Sequence, residues 1–479
     1  PPIITATSGI PYLFSSVVGW EMLLIRTTVA ASARSSACAS DSGSRRTCRP
    51  VSVIVGNGSA TLWDRSAPSG ARQQVNRCQD RTMTSDDPFG LRSLTADAMR
   101  RKRGAKWGAR PDAQFSAWVA DMDFPVAPAI SAALREVIDA NEFGYPNWGG
   151  PFASSPAARL FPKRMAERFG WELDSSRVHD MIDVIQGLRS SVHHLSAAGD
   201  GIVLHMPSYH PFINTIDEME RRLVPVERRD GEFDYDDLER RLAAGEGRDG
   251  AATMWILCHP HNPLGHVFER PELERIAAIA ERFDLTVISD EIHADLLMPG
   301  FTHIPFASLG ESVSDRTITV TSSSKAFNLA GLRWAVLHAG DERMHAVLES
   351  LPGHYLGAPN VMAVTATVAA WTDGADWLDA VTAVIDENRR ALVSLLDEHL
   401  PGVAYEPPSA TYLAWLDCRA LDLGDDPAAT VRERGVELST GPQFGPQGAG
   451  HARINLATSP TILAETVAAM AQTQRTQGV

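Results

Sequence analysis

At 479 residues and a net charge of −15, the chain is long enough for two or three domains with a large core, and its apolar and charged fractions are ordinary for a globular protein. The acidic balance argues against nucleic acid or an anionic membrane as the main partner. No apolar run reaches the roughly 18 residues of a membrane-spanning helix, and the five cysteines (Cys38, Cys48, Cys78, Cys258, Cys418) follow no zinc or disulfide spacing, which points to a reduced, cytoplasmic compartment.

Residues 1–82 differ from the rest. They hold nine arginines, no lysine, four acids (Glu21, Asp41, Asp64, Asp80) and three of the five cysteines. No helical or strand periodicity persists in them. Pro11 to Ile25 is mildly apolar, but Glu21 interrupts it and the basic flank of a signal peptide is missing. Gly56, Gly58 and Pro68 break the stretch that could hold a helix-turn-helix. The expectation is a disordered or non-native extension outside the working fold, with Met83 as a natural start.

The basic cluster RRKRGAKWGAR (100–110) reads as a solvated face. In WVADMDFPVAPAI (118–130), Pro125 and Pro128 start a helix that runs to about Asn141. Phe143-Gly144-Tyr145 by itself reads as a packing aromatic. The segment 151–165, with Pro151, Pro156 and Pro162, reads as an irregular surface loop. Asp183 is an N-cap for a helix from Val184 to about Ala197, and the N–H groups and positive dipole end at Val184 and Ile185 make an anion site. A carboxylate there repels an anion unless it turns away to cap. Gly201 to His205 is a buried strand that leads into Met206-Pro207-Ser208-Tyr209. Met254 to Cys258 is another, running into an Asn262-Pro263 turn. A helix over about Pro271 to Phe283 presents Ile276, Ile279 and Phe283. The strand Leu285 to Ser289 ends in Asp290-Glu291-Ile292-His293. A carboxylate at the C-terminal end of such a strand sits where ligands bind in a parallel α/β sheet.

The stretch TITVTSSSKAFNLAGLRW (317–334) decides the reading. A β-branched strand, Thr317 to Thr321, is followed by three serines, Lys325 and, eight residues on, Arg333. Serine hydroxyls and an arginine fork suit a phosphate. A lysine beside a bound phosphate is how pyridoxal phosphate enzymes hold their aldehyde cofactor as a Schiff base. The pattern Ser322-x-Ser324-Lys325 with Arg333 resembles the lysine motif of fold-type I pyridoxal phosphate enzymes of the aminotransferase class I/II family. Asn262 and Asp290 stand 28 residues apart, and Asp290 and Lys325 stand 35 apart, and both spacings fit that family. The strings ADMDF (Ala120 to Phe124), Asp290-Glu291-Ile292-His293 and TYLAW (Thr411 to Trp415) resemble its cystathionine β-lyase branch, the C–S lyases of the MalY/PatB type. Transaminases usually carry a tyrosine where His293 stands.

The resemblance covers nearly everything after Met83 and implies a role for each residue. Lys325 carries pyridoxal 5′-phosphate and becomes the base. Asp290 pairs with the pyridine nitrogen, while Asn262 and His293 lie near the ring 3-oxygen. Tyr209 stacks on the ring. Val184, Ile185, Ser322, Ser324 and Arg333 hold the phosphate, joined by Tyr145 from a dimer partner. Arg453, in His451-Ala-Arg-Ile-Asn455, forks onto the substrate α-carboxylate; without the resemblance it reads as a surface charge. The fold implied is α/β: a large domain over 126–375, with a mainly parallel, seven-stranded type of sheet between helices, and a smaller α+β domain from 83–125 and 376–479. A helix over Pro359 to about Trp371, a long helix from about Asp376 to His399 and a strand at 411–417 belong to this scheme. The homodimer would share its sites and cleave a cysteine thioether to thiol, pyruvate and ammonia. An aminotransferase, and a regulatory binding protein that retains the cofactor pocket, are the other readings.

Overall fold

Strands that are buried on both faces read as unbroken apolar runs and not as alternations. Three such strands lie at the centre of the computed structural model, which describes residues 87–149, 154–245, 251–352 and 355–472. The extension expected over 1–82 lies outside these residues. In chain order the main strands are β1 (Val178–Met181), β2 (Gly201–His205), β3 (Arg222–Val226), β4 (Ala252–Cys258), β5 (Thr286–Asp290), β6 (Thr317–Thr321) and β7 (Ala335–Ala339). They form one seven-stranded sheet in the order β1-β7-β6-β5-β4-β2-β3. Strands β3, β2, β4, β5 and β6 run parallel to one another, and β7 is antiparallel to both β6 and β1. The mainly parallel sheet expected from the sequence is present.

Helices cover both faces. On one face α3 (Val184–Leu195), α4 (His210–Glu218) and α6 (Glu342–Ser350) bury Leu188, Val192, Phe212, Ile216, Met344 and Leu348 against Ile256, Ile288 and Val320. On the other, α5 (Arg270–Arg282) packs Leu273, Ile276 and Ala280 on Trp255 and Val287. Beside it α2 (Pro156–Phe169) and α7 (Val361–Asp373) enclose Phe161, Met165, Ala363 and Val364. Earlier in the chain, α1 (Pro128–Asp139) contributes Ile130 to a separate core. That core also takes Leu91, Trp107 and Phe124, Trp377 and Val384 of α8 (Ala375–His399), and the strands that follow. These are β8 (Ala404–Tyr405), β9 (Leu413–Asp417), β10 (Ser439–Thr440) and β11 (His451–Asn455), an antiparallel sheet in the order β8-β9-β11-β10, closed by α9 (Pro460–Met470). Trp415 is the register partner of Arg453.

Two local expectations are corrected. The segment around Pro156 and Pro162 is not an irregular loop from Ser155 onward; it is α2. Pro156 occupies the first turn, where its missing N–H is no loss, and Ser155 caps it by accepting from the Ala158 N–H at 3.1 Å. Pro162 does stand inside the helix and removes one backbone bond. Burial of Ala157, Ala158, Phe161 and Met165 along one stripe offsets that loss, and Gly170, at φ 66°, ends the helix in the left-handed conformation.

The basic cluster is not a solvated face throughout. Arg100, Arg101, Lys102 and Arg103 are exposed, but Lys106 and Trp107 are buried. The Lys106 ammonium lies 3.1 Å from Asp123 Oδ1, and Trp107 Nε1 donates to the same oxygen at 2.7 Å. Removing one partner of such a pair strands the other charge in the core. Lys106→Met is therefore expected to lower unfolding stability by roughly 3–5 kcal/mol, read as a drop in the urea midpoint. Arg101→Met, on the exposed part of the cluster, should stay within about 0.5 kcal/mol of the parent.

Candidate active site

The parallel strands β2, β4, β5 and β6 end on one side of the sheet, and the turns that follow them surround a cavity of about 330 Å³ together with the start of α3. Its floor is Asp290, the last residue of β5. The carboxyl group is buried and, among the described residues, accepts a single N–H, from Ile292 at 3.1 Å. Burial pushes its pKa up to about 7; the bond from Ile292 opposes this, the charge of Glu291 adds to it, and Lys325 opposes it again. Glu291 itself points elsewhere and is satisfied by Ser289, His303 and the Phe306 N–H.

Lys325 follows β6 through the serine turn. Its Nζ donates to the Ala120 carbonyl at 2.9 Å, and Tyr412 donates to the same oxygen at 2.9 Å. Burial lowers the Lys325 pKa; Arg453 and Arg333 push in the same direction, while Asp121 and Asp290 resist. Ser322 Oγ donates to the Trp334 carbonyl at 2.5 Å and accepts the Ser324 N–H at 3.1 Å, which closes the turn that presents the lysine.

At the other end of the cavity lie Val184 and Ile185 in the first turn of α3, with Ser322, Ser324 and Arg333. Asp183 accepts from the Gln186 N–H at 2.7 Å and takes a second bond from Arg333. The Asp183 carboxylate is thus turned to cap the helix and is paired with the arginine. Arg333 holds a positive φ of 61°. The ring of Tyr209 lines the cavity edge-on to His210 and Phe212. Burial pushes its phenol up.

Asn262 and His293 flank Asp290 in the cavity wall. His293 is held neutral: burial, then Lys325 and Arg453, bring its pKa down to about 3. Its Nδ1 is sealed from solvent without a hydrogen-bond partner among the described residues. Arg453 is buried in β11, unlike the surface charge its sequence context suggests. It donates to Asn262 Oδ1 at 2.9 Å, and to the Trp118 carbonyl and Ser439 Oγ, both at 3.0 Å. The guanidinium lies over Phe444, 4.8 Å from the ring centre. It reaches the cavity through Asn262.

One expected residue is not brought to the others. Tyr145 is fully exposed and does not line the cavity in this single chain. Sequence reasoning missed Ala120, Tyr412, Trp118, Ser439 and Phe444. Three of the five act through a backbone carbonyl or as packing, and neither leaves a chemical signature; Tyr412 and Ser439 act through their hydroxyls. The strings ADMDF and TYLAW did mark the neighbourhoods of Ala120 and Tyr412.

The aminotransferase class I and II family model matches residues 159–470. The chain belongs to that family. Cystathionine β-lyase PatB of Bacillus subtilis is 34% identical over 350 residues, which cover 71% of this chain and 88% of that protein. Cystathionine β-lyase of Corynebacterium glutamicum is 30% identical over 378 residues, covering 78% and 98%. The solved pyridoxal phosphate-bound C–S lyase of Staphylococcus hominis superposes with a TM-score of 0.68 at 28% identity, covering 78% of this chain and 95% of that one.

The cavity suits a cofactor that is anionic at one end and a cationic ring nitrogen at the other. A helix start and Arg333 would suit the first, and a buried carboxyl that accepts one N–H among the described residues would suit the second. The raised pKa has a thermodynamic consequence. An acid whose folded-state pKa lies above its unfolded value costs nothing in acid, where both states hold the proton. Its penalty grows as pH rises between the two values and is complete above about 7. Cofactor-free Asp290→Asn should therefore match the cofactor-free parent in acid and melt at a higher temperature above that pH. Thermal denaturation across pH checks this; parallel curves would show that Asp290 titrates normally.

Proposed function

We propose that this protein is a pyridoxal 5′-phosphate-dependent carbon–sulfur β-lyase that cleaves cystathionine or a related cysteine thioether to a thiol, pyruvate and ammonia. The observation that carries the reading is the part-buried Lys325 amine, its pKa lowered, in one cavity with the buried carboxyl of Asp290. The named activity of the Bacillus and Corynebacterium relatives supports a lyase over an aminotransferase. So does the Asp290-Glu291-Ile292-His293 string.

Lys325 would hold the cofactor and Asp290 its ring nitrogen. Asn262 and His293 would lie at the ring oxygen, with Tyr209 on the ring face. The N–H groups of Val184 and Ile185, with Ser322, Ser324 and Arg333, would hold the phosphate, and Tyr145 of the partner subunit would complete that end of the site. When bound, the cofactor supplies an electron sink for the carbanion formed at the substrate α-carbon. The chain's own residues do the rest. Arg453 forks onto the substrate carboxylate, which a lysine does poorly. Lys325, whose pKa burial lowers, gives up its own proton more readily than an exposed amine and takes the α-proton. Burial of Asp290 excludes water from its carboxylate, so the ion pair it forms is strong. A thiolate then departs from the β-carbon, and hydrolysis of the remaining fragment yields pyruvate and ammonia.

This reading includes a homodimer, a cytoplasmic location and a division into a large domain over 126–375 and a small one built from 83–125 and 376–479. No described helix is long and apolar enough to cross a membrane.

Incubation with L-cystathionine should release thiol and pyruvate in equal amounts. Lys325→Ala should lower that rate by more than the roughly 10²–10⁴-fold contributed by a general base alone. Arg453→Lys should raise KM by about tenfold or more, the equivalent of one lost charged hydrogen bond. No pyruvate, with amino transfer once a second keto acid is supplied, would move the assignment to an aminotransferase.

A further inference from the structure

A second cluster of chemically capable side chains lies apart from the cavity. His179 is on β1, the edge strand of the seven-stranded sheet, and His345 and Glu349 are on α6. One ring nitrogen from each histidine and one oxygen of Glu349 lie mutually within 4.8 Å. None of the three lines the cofactor cavity.

The placement follows from two periodicities. On β1, Val178 packs with Phe161 beneath α2, and Asp180 accepts from Ser155 and Trp334 on that same side. Alternation then turns His179 and Met181 to the opposite face, where Met181 packs with Met344 and Leu348 of α6. On α6 those two residues are one turn apart. His345 and Glu349 each follow one of them, so they stack on the helix flank beside the strand. Their spacing of four residues is what lets two side chains of one helix hold the same ion.

Two of the nitrogens have no bonding account within the fold. His179 Nε2 and His345 Nδ1 are both sealed from solvent without a hydrogen-bond partner among the described residues. Buried polar atoms are normally bonded. Lone pairs on two imidazoles next to a carboxylate are a common ligand set for a metal ion.

We propose that His179, His345 and Glu349 form a binding site for a divalent transition metal ion of the zinc class. Two imidazole donors favour zinc, cobalt, nickel or copper over magnesium or calcium, which prefer all-oxygen sites. Three protein ligands leave a position for water on the exposed side of Glu349. The ion clamps α6 to the sheet edge, four residues upstream of Asp183 at the head of α3. This inference is independent of the lyase reading.

The test is titration of the chelator-treated holoenzyme with Co²⁺, followed by calorimetry and by the visible absorption of the bound ion. The full chain should bind one more Co²⁺ per subunit than His345→Ala does, and the melting temperature should rise with metal only in the former. Groups that merely orient a metal ligand are worth ~10–100-fold in affinity, so loss of a ligand should weaken binding by at least roughly tenfold. Glu349→Gln, at an exposed position that the fold does not depend on, should weaken it as well and serves if His345→Ala does not fold. Mg²⁺ should not compete. Equal Co²⁺ binding by the parent and both variants, or none by the parent, would overturn the proposal. Binding that survives in the variants would belong to groups elsewhere in the chain.

Discussion

A carboxylate is placed at the centre of a parallel sheet with almost nothing to balance it, and the site is built around that fact. Asp290 closes β5 between two other buried strands and accepts one backbone N–H among the described residues. Its neighbour Glu291 turns away into a pocket of its own, where a serine, a histidine and an N–H satisfy it. The contrast is physical. One acid is given the partners a buried charge needs, and the other is left to hold its proton or find a cation. A ring nitrogen is such a cation, and the cavity opens directly above it.

The second constraint is that residues of the cavity wall are held from both sheets. Arg453 belongs to the four-stranded sheet, yet its guanidinium bonds Asn262, which follows β4 of the seven-stranded sheet. Lys325, after β6, is held by the Ala120 carbonyl, and Tyr412, just before β9 of the four-stranded sheet, holds the same oxygen. Buried donors therefore find acceptors only when the two sheets sit in one relative position. Polar groups of this kind are costly when unpaired, so the network works as a latch for the geometry as well as a binding surface.

Much of this was legible in the chain because its signals are local. The strands leading to Asp290 and Lys325 are short apolar or β-branched runs; the first ends in the carboxylate itself and the second in a serine turn that presents the lysine. The Asp183 cap, the turn at Asn262 and the serine turn before Lys325 are local chemistry that any sequence window contains. What escaped was decided by distant parts of the chain. Pro162 reads as a breaker until the burial of Phe161 and Met165 is known. Lys106 reads as solvated until Asp123 is folded against it. Arg453 looks like a surface charge because its acceptors are a side chain 191 residues earlier and a carbonyl 335 residues earlier. Backbone carbonyls such as those of Trp118 and Ala120 carry no residue identity, so no motif announces them.

Tyr145 shows the same principle at the surface. A chain whose described residues bury Trp255, Trp377, Tyr412 and twelve other Phe, Tyr and Trp rings leaves Phe143 58% and Tyr145 104% exposed, two residues apart. Aromatic side chains carry a large apolar payload, and neighbouring exposed ones are a cost in water that a single chain has no reason to keep. Between them stands Gly144, where an added side chain would meet nothing. The segment is free to lie against another surface, and in the proposed homodimer a second copy of this chain would supply one, at the end of the cavity lined by Val184, Ile185 and Arg333. The exposure of Tyr145 therefore supports the homodimer reading, because the residue is unpartnered in one chain and has a stated use in two.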